Sequence, residues 1–160
     1  PIYVESSPGV GSRFWLRLSL PEGRAPQPAR GAAAAVALPP LRVLVADDVP
    51  ENLALMQLRL SAMGHSVVCV PDGQQALDAL RAGGLDLALL DVHMPHLDGL
   101  QVCRALRAQE ATQGGHLPII ALTASASQAD RALTDAAGMD GFAIKPVDWP
   151  ALLEIGRAHV

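Results

Sequence analysis

Five short apolar runs recur at regular intervals from residue 41 onwards. They lie at Arg42–Ala46, Ser66–Val70, Leu85–Leu90, Pro118–Leu122 and Gly141–Ile144. The stretches between them carry apolar residues at helical spacing, the first at Leu53, Met56, Leu60 and Met63. Strand–helix alternation repeated five times predicts an α/β fold, a doubly wound five-stranded parallel sheet with helices on both faces.

Helix starts are marked by side chains that can accept hydrogen bonds from free backbone N–H groups. Two capping-box spacings and two single N-cap candidates occur, at Asp72 with Gln75, Asp98 with Gln101, Ser127 and Asp148. Gly64 follows the first helical stretch and can adopt the left-handed conformation of a helix C-terminus. These signals support helices after each of the predicted strands.

The first 40 residues have a different character. Turn residues 7–12 precede an alternation of Phe14, Leu16, Leu18 and Leu20, which predicts a half-buried strand at the edge of something larger. Residues 21–40 contain five prolines among Ala, Gly and Arg, a composition typical of a linker. Because the chain begins with Pro1 rather than Met, we expect it to be a fragment of a longer protein.

Composition and charge narrow the function classes. Half of the 160 residues are apolar and only 3% are aromatic, so the core is expected to be aliphatic. The net charge of −4 disfavours nucleic acid or an anionic membrane as a partner. Cys69 and Cys103 lie far apart without a CxxC pattern, which predicts neither a disulfide framework nor a zinc site and favours a reducing, cytoplasmic location.

Polar residues follow four of the five predicted strands. Asp47-Asp48, Asp91, Thr123 and Lys145 occupy these strand ends, whereas the second strand ends at Val70. In an open parallel sheet all carboxyl ends meet at one edge, and ligands bind where the strand order reverses. The flavodoxin-like order 2-1-3-4-5 would make strands one and three neighbours, so that Asp47, Asp48 and Asp91 face each other, with Thr123 and Lys145 on the far rim.

This set of side chains predicts phosphoryl transfer onto an aspartate. Three clustered carboxylates require protonation or a cation, and hard oxygen ligands with open positions favour Mg²⁺. Lys145 is the only lysine in the chain, which suggests a site that needs a compact point charge. A cation, a carboxylate nucleophile, the Thr123 hydroxyl and an ammonium group together fit this reaction.

Four motifs resemble those of the response-regulator receiver domains of the CheY-like family. In order along residues 41–160 they read RVLVADDVPEN, LLDVHMPHLDG, IIALTAS and GFAIKP. The resemblance implies that Asp91 is the phosphoacceptor. It also implies a Mg²⁺ site formed by Asp91, by Asp48 directly, by Asp47 mostly through water, and by the backbone carbonyl of His93.

The same resemblance assigns the remaining polar residues. Thr123 corresponds to the conformational hydroxyl, Lys145 to the phosphate-binding lysine, and Phe142 to the switch aromatic. It further implies a cis peptide bond between Lys145 and Pro146. After Asp148 the family has a full final helix, whereas Gly156 interrupts the pattern here, so we expect that helix to be truncated.

A second, shorter resemblance lies near the start of the chain. Residues 3–21, YVESSPGVGSRFWLRLSLP, are similar to the C-terminal end of a histidine-kinase ATPase domain, with its GxGSxF pattern. The resemblances together imply a hybrid sensor histidine kinase: an ATPase remnant at 1–20, a linker at 21–40 and a receiver at 41–160. The chain lacks the motifs for ATP binding, so it is expected to accept a phosphoryl group rather than to act as the kinase.

The family resemblance implies a Mg²⁺-dependent transfer from a phosphohistidine to Asp91, followed by a conformational switch. Its partners would be a kinase phosphohistidine domain or a histidine phosphotransfer protein. A homodimer could form through the face made by the fourth helix, fifth strand and last helix of the domain. The alternative is a pseudo-receiver that binds partners without phosphorylation. An aspartyl-phosphate hydrolase is disfavoured because His93 occupies the place of its second acid.

Overall fold

A two-stranded antiparallel hairpin forms within the first of two compact units, which divide the chain at Val36 and Ala37. The structure, a computed structural model, describes residues 2–9, 11–16, 39–125, 127–149, 151–152 and 155. Strands β1 (Ile2–Ser7) and β2 (Gly11–Leu16) are antiparallel, with Ser7 opposite Gly11 at the turn and Ile2 opposite Leu16 at the other end. The predicted strand is present as far as Leu16, whereas its continuation to Leu20 and most of the predicted linker lie outside the described residues.

The five apolar runs of the second unit form one parallel sheet. The strands are β3 (Arg42–Ala46), β4 (Ser66–Val70), β5 (Leu87–Asp91), β6 (Ile119–Thr123) and β7 (Gly141–Ile144). Their order in the sheet is β4-β3-β5-β6-β7, with every neighbouring pair parallel. This confirms the predicted doubly wound α/β fold and its 2-1-3-4-5 strand order.

Helices follow the strands as the spacing predicts. They are α1 (Pro50–Ala62), α2 (Gly73–Ala82), α3 (Gly99–Gln113) and α4 (Gln128–Ala137). The side chains that begin α2, α3 and α4 accept hydrogen bonds from backbone N–H groups as predicted, at Asp72, Asp98 and Ser127. No described helix has the length and apolar character needed to cross a membrane.

A last helical segment follows β7. Trp149, Ala151, Leu152 and Ile155 have helical backbone conformation. The N–H of Leu152 donates to the carbonyl of Asp148, 2.9 Å away, as at a helix start. Gly156 and the residues after it, on which the expectation of a truncated helix depends, lie outside the described residues.

The two faces of the sheet carry separate aliphatic cores. Alternate strand residues point to opposite faces, so Val43 and Val45 pack with α1 on one side while Leu44 packs with α2 and α3 on the other. Met56 and Leu60 of α1 are buried as their spacing predicts. Met63 is 39% exposed because the helix ends at Ala62, before the apolar pattern does.

An ionic cluster of partly exposed side chains joins α3 to the amino ends of β6 and β7. The Arg107 guanidinium contacts Glu110 Oε2 at 2.6 Å and Asp140 Oδ2 at 2.7 Å. Asp140 also contacts His116 Nε2 at 2.6 Å and accepts the N–H of Ile119. Arg107 donates in addition to two main-chain carbonyls, those of Leu117 and Gly138. We call Arg107, Glu110, His116 and Asp140 the lower cluster.

Candidate functional site

Three strand ends bring charged side chains together at the opposite edge of the sheet. Asp47 directly follows β3, Asp91 ends β5, and Lys145 directly follows β7. The Lys145 Nζ lies 2.6 Å from Asp47 Oδ2 and 2.6 Å from Asp91 Oδ2. Asp47 is fully buried and Asp91 is 6% exposed. The predicted convergence of these three residues is therefore observed in the structure.

The Asp47 carboxylate is held by four hydrogen bonds. Besides Lys145, its partners are the N–H of Val49 at 3.0 Å and the Asn52 side-chain amide, which donates to both oxygens at 3.0 and 3.1 Å. Asn52 had no role in the sequence analysis, although it is part of the first family motif. Its position in the first turn of α1, five residues after an aspartate at a strand end, is the signal that could have indicated it.

The acidic residues form a possible cation site. One carboxylate oxygen each from Asp47, Asp48 and Asp91 lies within 4.8 Å of the other two. Within the described residues these three carboxylates face one ammonium group, Lys145, so the cluster keeps excess negative charge. Carboxylate oxygens are the ligands that Mg²⁺ prefers, and Asp48 is exposed, which leaves room for water in the coordination shell. The donor set therefore fits Mg²⁺.

The environment of Lys145 keeps its ammonium group charged. Burial by itself lowers the pKa of Lys145, but the hydrogen bonds to Asp47 and Asp91 and the charges of these carboxylates raise it above its ordinary value. The peptide bond between Lys145 and Pro146 is cis, as the family resemblance implies. At neutral pH Lys145 is thus a permanent positive charge between two aspartates.

The segment after β5 packs closely around Asp91. The N–H of His93 donates to Asp91 Oδ1 at 3.1 Å, so the turn that carries His93 lies beside the carboxylate. A Cβ atom on Gly99 would lie 2.3 Å from the carbonyl oxygen of Asp91, which only glycine permits. The start of α3 therefore sits directly against the end of β5. The assignment of the His93 carbonyl as a metal ligand stays a prediction.

Thr123 and Phe142 lie in the neighbouring strands, with contacts that the sequence did not predict. The buried Thr123 hydroxyl donates to the carbonyl of Ser125 at 3.0 Å and accepts the Ser125 N–H at 3.2 Å. The Arg131 guanidinium lies over the Phe142 ring, 4.4 Å from its centroid. The structure thus brings Asp47, Asp48, Asp91 and Lys145 together, and it engages Thr123 and Phe142 with the start of α4 and the loop before it.

Comparison with known proteins agrees with this arrangement. Residues 43–157 match the response regulator receiver domain family. The sensor protein EvgS of Escherichia coli K12 is 36% identical over 166 residues, which cover 98% of this chain and 13% of EvgS. The chain thus belongs to the response regulator receiver domain family, whose members take part in two-component signalling. It spans about an eighth of the length of EvgS and of the sensor protein GacS of Pseudomonas syringae pv. syringae.

Two solved structures resemble the second unit. The receiver domain of the sensor histidine kinase PA1611 from Pseudomonas aeruginosa PAO1, which has a magnesium ion coordinated in its active site cleft, is 35% identical with a TM-score of 0.67. The match covers 76% of this chain and 98% of that one. The Saccharomyces cerevisiae receiver domain of Ssk1, solved with the histidine phosphotransfer protein Ypd1, gives 30% identity and a TM-score of 0.70, covering 72% and 86%.

Proposed function

We propose that the chain is the receiver of a hybrid sensor histidine kinase and that Asp91 accepts a phosphoryl group from a phosphohistidine. An Asp91 carboxylate oxygen forms the new O–P bond while the P–N bond to the imidazole breaks, and the imidazole takes up a proton. The observation that carries this proposal is the Lys145 ammonium group, placed 2.6 Å from both Asp47 and Asp91 at the edge where three carboxylates meet.

Each charged group has a part in this reaction. Lys145 stabilises negative charge on the phosphoryl oxygens, and Asp47 orients Lys145 towards Asp91. Asp48, Asp91 and the carbonyl of His93 hold Mg²⁺, which when bound offsets charge on the transferring group. In phosphoryl transfer, positioning and electrostatic stabilisation supply most of the acceleration. The magnesium-bound PA1611 receiver supports the choice of metal.

The contacts of Thr123 suggest how phosphorylation alters the surface. We expect the Thr123 hydroxyl to exchange the Ser125 carbonyl for a phosphoryl oxygen, which frees the loop before α4. Ser125 Oγ accepts the N–H of Ser127, the residue that caps α4, so this movement reaches the helix start. We expect the side chain of Phe142, in β7, to move together with Thr123. This movement changes the face made by α4, β7 and the last helix.

The same face supports the proposed partners. Leu133 on α4 and Ile144 on β7 are 50% and 43% exposed, which suits a homodimer contact that phosphorylation could control. The complex of the Ssk1 receiver with Ypd1 supports a histidine phosphotransfer protein as the next acceptor. The extent of the EvgS match supports the further proposal that residues 1–20 end a histidine-kinase ATPase domain and that 21–40 link it to the receiver.

Intact-mass measurement after incubation with acetyl phosphate and Mg²⁺ tests the acceptor function. We expect a single phosphoryl adduct on the wild-type chain, none on Asp91→Asn, and none on the wild type with chelator. Asp135→Asn is the matched control, because Asp135 is an exposed aspartate of α4, and it should form the adduct normally. A folded wild type that forms no adduct with Mg²⁺ present would contradict the proposal and favour the pseudo-receiver.

A further inference from the structure

We infer that Asn52 is a positioning residue: it fixes the Asp47 carboxylate as the anchor of Lys145, so that Lys145 is aimed at Asp91. This inference deepens the proposed function and rests on it for the reaction that Lys145 serves. The geometry itself is independent of that reaction, because it concerns contacts among three side chains of this chain.

The contacts show how the positioning works. The Asn52 Nδ2 donates to both oxygens of Asp47, at 3.0 and 3.1 Å. The N–H of Val49 donates to Oδ1, and Oδ2 accepts Lys145 at 2.6 Å as well as the Asn52 amide. A fully buried carboxylate held by donors from α1 keeps one orientation, and its contact with Lys145 is held with it.

The start of α1 places the amide where it is needed. Val49 precedes the helix with no side-chain cap, and Pro50 occupies the first turn, where its missing N–H costs nothing. Asn52 follows in the same turn, with its N–H bonded to the Val49 carbonyl at 3.1 Å. The turn that begins the helix therefore also presents the Asn52 side chain to the end of β3.

An amide suits this position because it donates hydrogen bonds without adding charge. The site already holds three carboxylates, so an acidic residue here would add repulsion, and a basic one would compete with Lys145 for Asp47. Asn52 contacts Asp47 alone among the three carboxylates, so it holds the lysine anchor without occupying an oxygen of Asp48 or Asp91.

The single lysine of the chain allows a test that is independent of phosphorylation. We would measure the acylation rate of Lys145 by a water-soluble amine-reactive ester in chelator, with peptide mapping to separate it from the chain terminus. In Asn52→Leu we expect about fivefold faster acylation, the factor typical of one lost hydrogen bond. Gln57→Leu, which removes an exposed amide from the same helix, is the control and should leave the rate unchanged.

A conservative variant separates positioning from a merely structural role. Asn52→Gln keeps an amide donor on a longer side chain and should restore part of the protection of Lys145, whereas a packing role would not be restored in this way. Melting temperatures establish that each variant is folded. If Asn52→Leu does not fold, the comparison is made with Asn52→Ser. An unchanged acylation rate in a folded variant would overturn the inference.

Two further measurements address the chemistry. At saturating Mg²⁺ we expect Asn52→Leu to be phosphorylated by acetyl phosphate about tenfold more slowly, with no weaker Mg²⁺ binding. Binding is read from the fluorescence of Trp149, which lines the same cavity as Asp47, Asn52 and Lys145, in a Trp15→Phe background. Weaker Mg²⁺ binding, as expected of Asp48→Asn, would contradict the inference. If the wild type itself forms no phosphoryl adduct, the proposed function fails, and the acylation rates still decide the role of Asn52.

Discussion

The second unit contains two clusters of charged side chains, one at each end of the same sheet. In the lower cluster, Arg107 and His116 face Glu110 and Asp140, and the fork of Arg107 also bonds main-chain carbonyls. At the carboxyl ends of the strands, Lys145 pairs with Asp47 and Asp91, and the Asp48 carboxylate lies beside them. In the first cluster two carboxylates share the Arg107 guanidinium. In the second, three carboxylates lie around one ammonium group, and within the described residues the Asp48 carboxylate has no ion pair.

This difference separates a structural cluster from a chemical one. Groups that are fully paired and bonded to the backbone hold elements in place and have no capacity left for a ligand. A cluster in which three carboxylates meet around one ammonium group stores repulsion that a metal ion can relieve. Short ion pairs are common to both ends of the sheet, so the number of carboxylates around each cation distinguishes them.

The largest effect is expected for Arg107→Met. The substitution leaves Glu110 and Asp140 without their cation and two carbonyls without their donor, so we expect the free energy of unfolding to fall by about 3 kcal/mol. Urea denaturation measures this change. Arg107→Lys keeps the charge but loses the planar fork, and it should recover only part of the loss. A loss below about 1 kcal/mol would show that the lower cluster does not stabilise the fold.

Replacement of an aspartate by asparagine should have opposite effects on the stability of the fold at the two ends of the sheet. Asp140→Asn removes the carboxylate that pairs with Arg107 and contacts His116, and we expect it to lower the free energy of unfolding by about 2 kcal/mol. Asp48→Asn removes one of three mutually repelling carboxylates, and in chelator we expect it to raise the urea midpoint. Destabilisation by both substitutions would contradict the distinction between the clusters.

Addition of Mg²⁺ should affect only the end of the sheet at which three carboxylates meet. A cation that binds the folded state stabilises it by about 1.4 kcal/mol when present at ten times its Kd. We expect this gain for the wild type and for Arg107→Lys in thermal melts with Mg²⁺ against chelator. Asp48→Asn should show little or none of it. An equal gain in Asp48→Asn would place the cation elsewhere.

The smallest effect is a change in the reactivity of a thiol beside the lower cluster. Burial raises the pKa of Cys103 to about 11, and its Sγ lies 3.2 Å from the carbonyl of Ala137. Little thiolate exists at pH 8, so alkylation should be slow and should accelerate as the pH rises towards that value. Burial also raises the pKa of Cys69, which is only partly buried, so Cys69 should react first. Arg107→Met should speed the reaction of Cys103 if the cluster keeps this region closed.

Much of the fold could be predicted from the sequence because each strand carries a local signal. Three of the five predicted strands of the sheet have the observed bounds, and the other two differ by one or two residues at their ends. The polar residues at strand ends were informative because parallel topology brings such ends together whatever the loops between them do. Asp47, Asp91 and Lys145 therefore meet as predicted.

The features that were missed depend on packing between distant parts of the chain. The partners of Arg107 lie up to 33 residues away and form no motif, so no pattern could reveal the lower cluster. Asn52 was missed because an amide in the first turn of a helix usually faces solvent. His65, between α1 and β4, is buried for a similar reason: its Nδ1 accepts the N–H of Leu41, 24 residues away.

The contact between Gly99 and the carbonyl of Asp91 has a consequence for how substitutions in this protein should be interpreted. In a library of single-residue variants scored by signalling, Gly99 should tolerate no replacement, as completely as Asp91 itself. A score of that kind would group a residue that has no reactive atom with those that do the chemistry. Only a separate measurement of how much folded protein each variant yields would separate the residue that shapes the site from those that act in it.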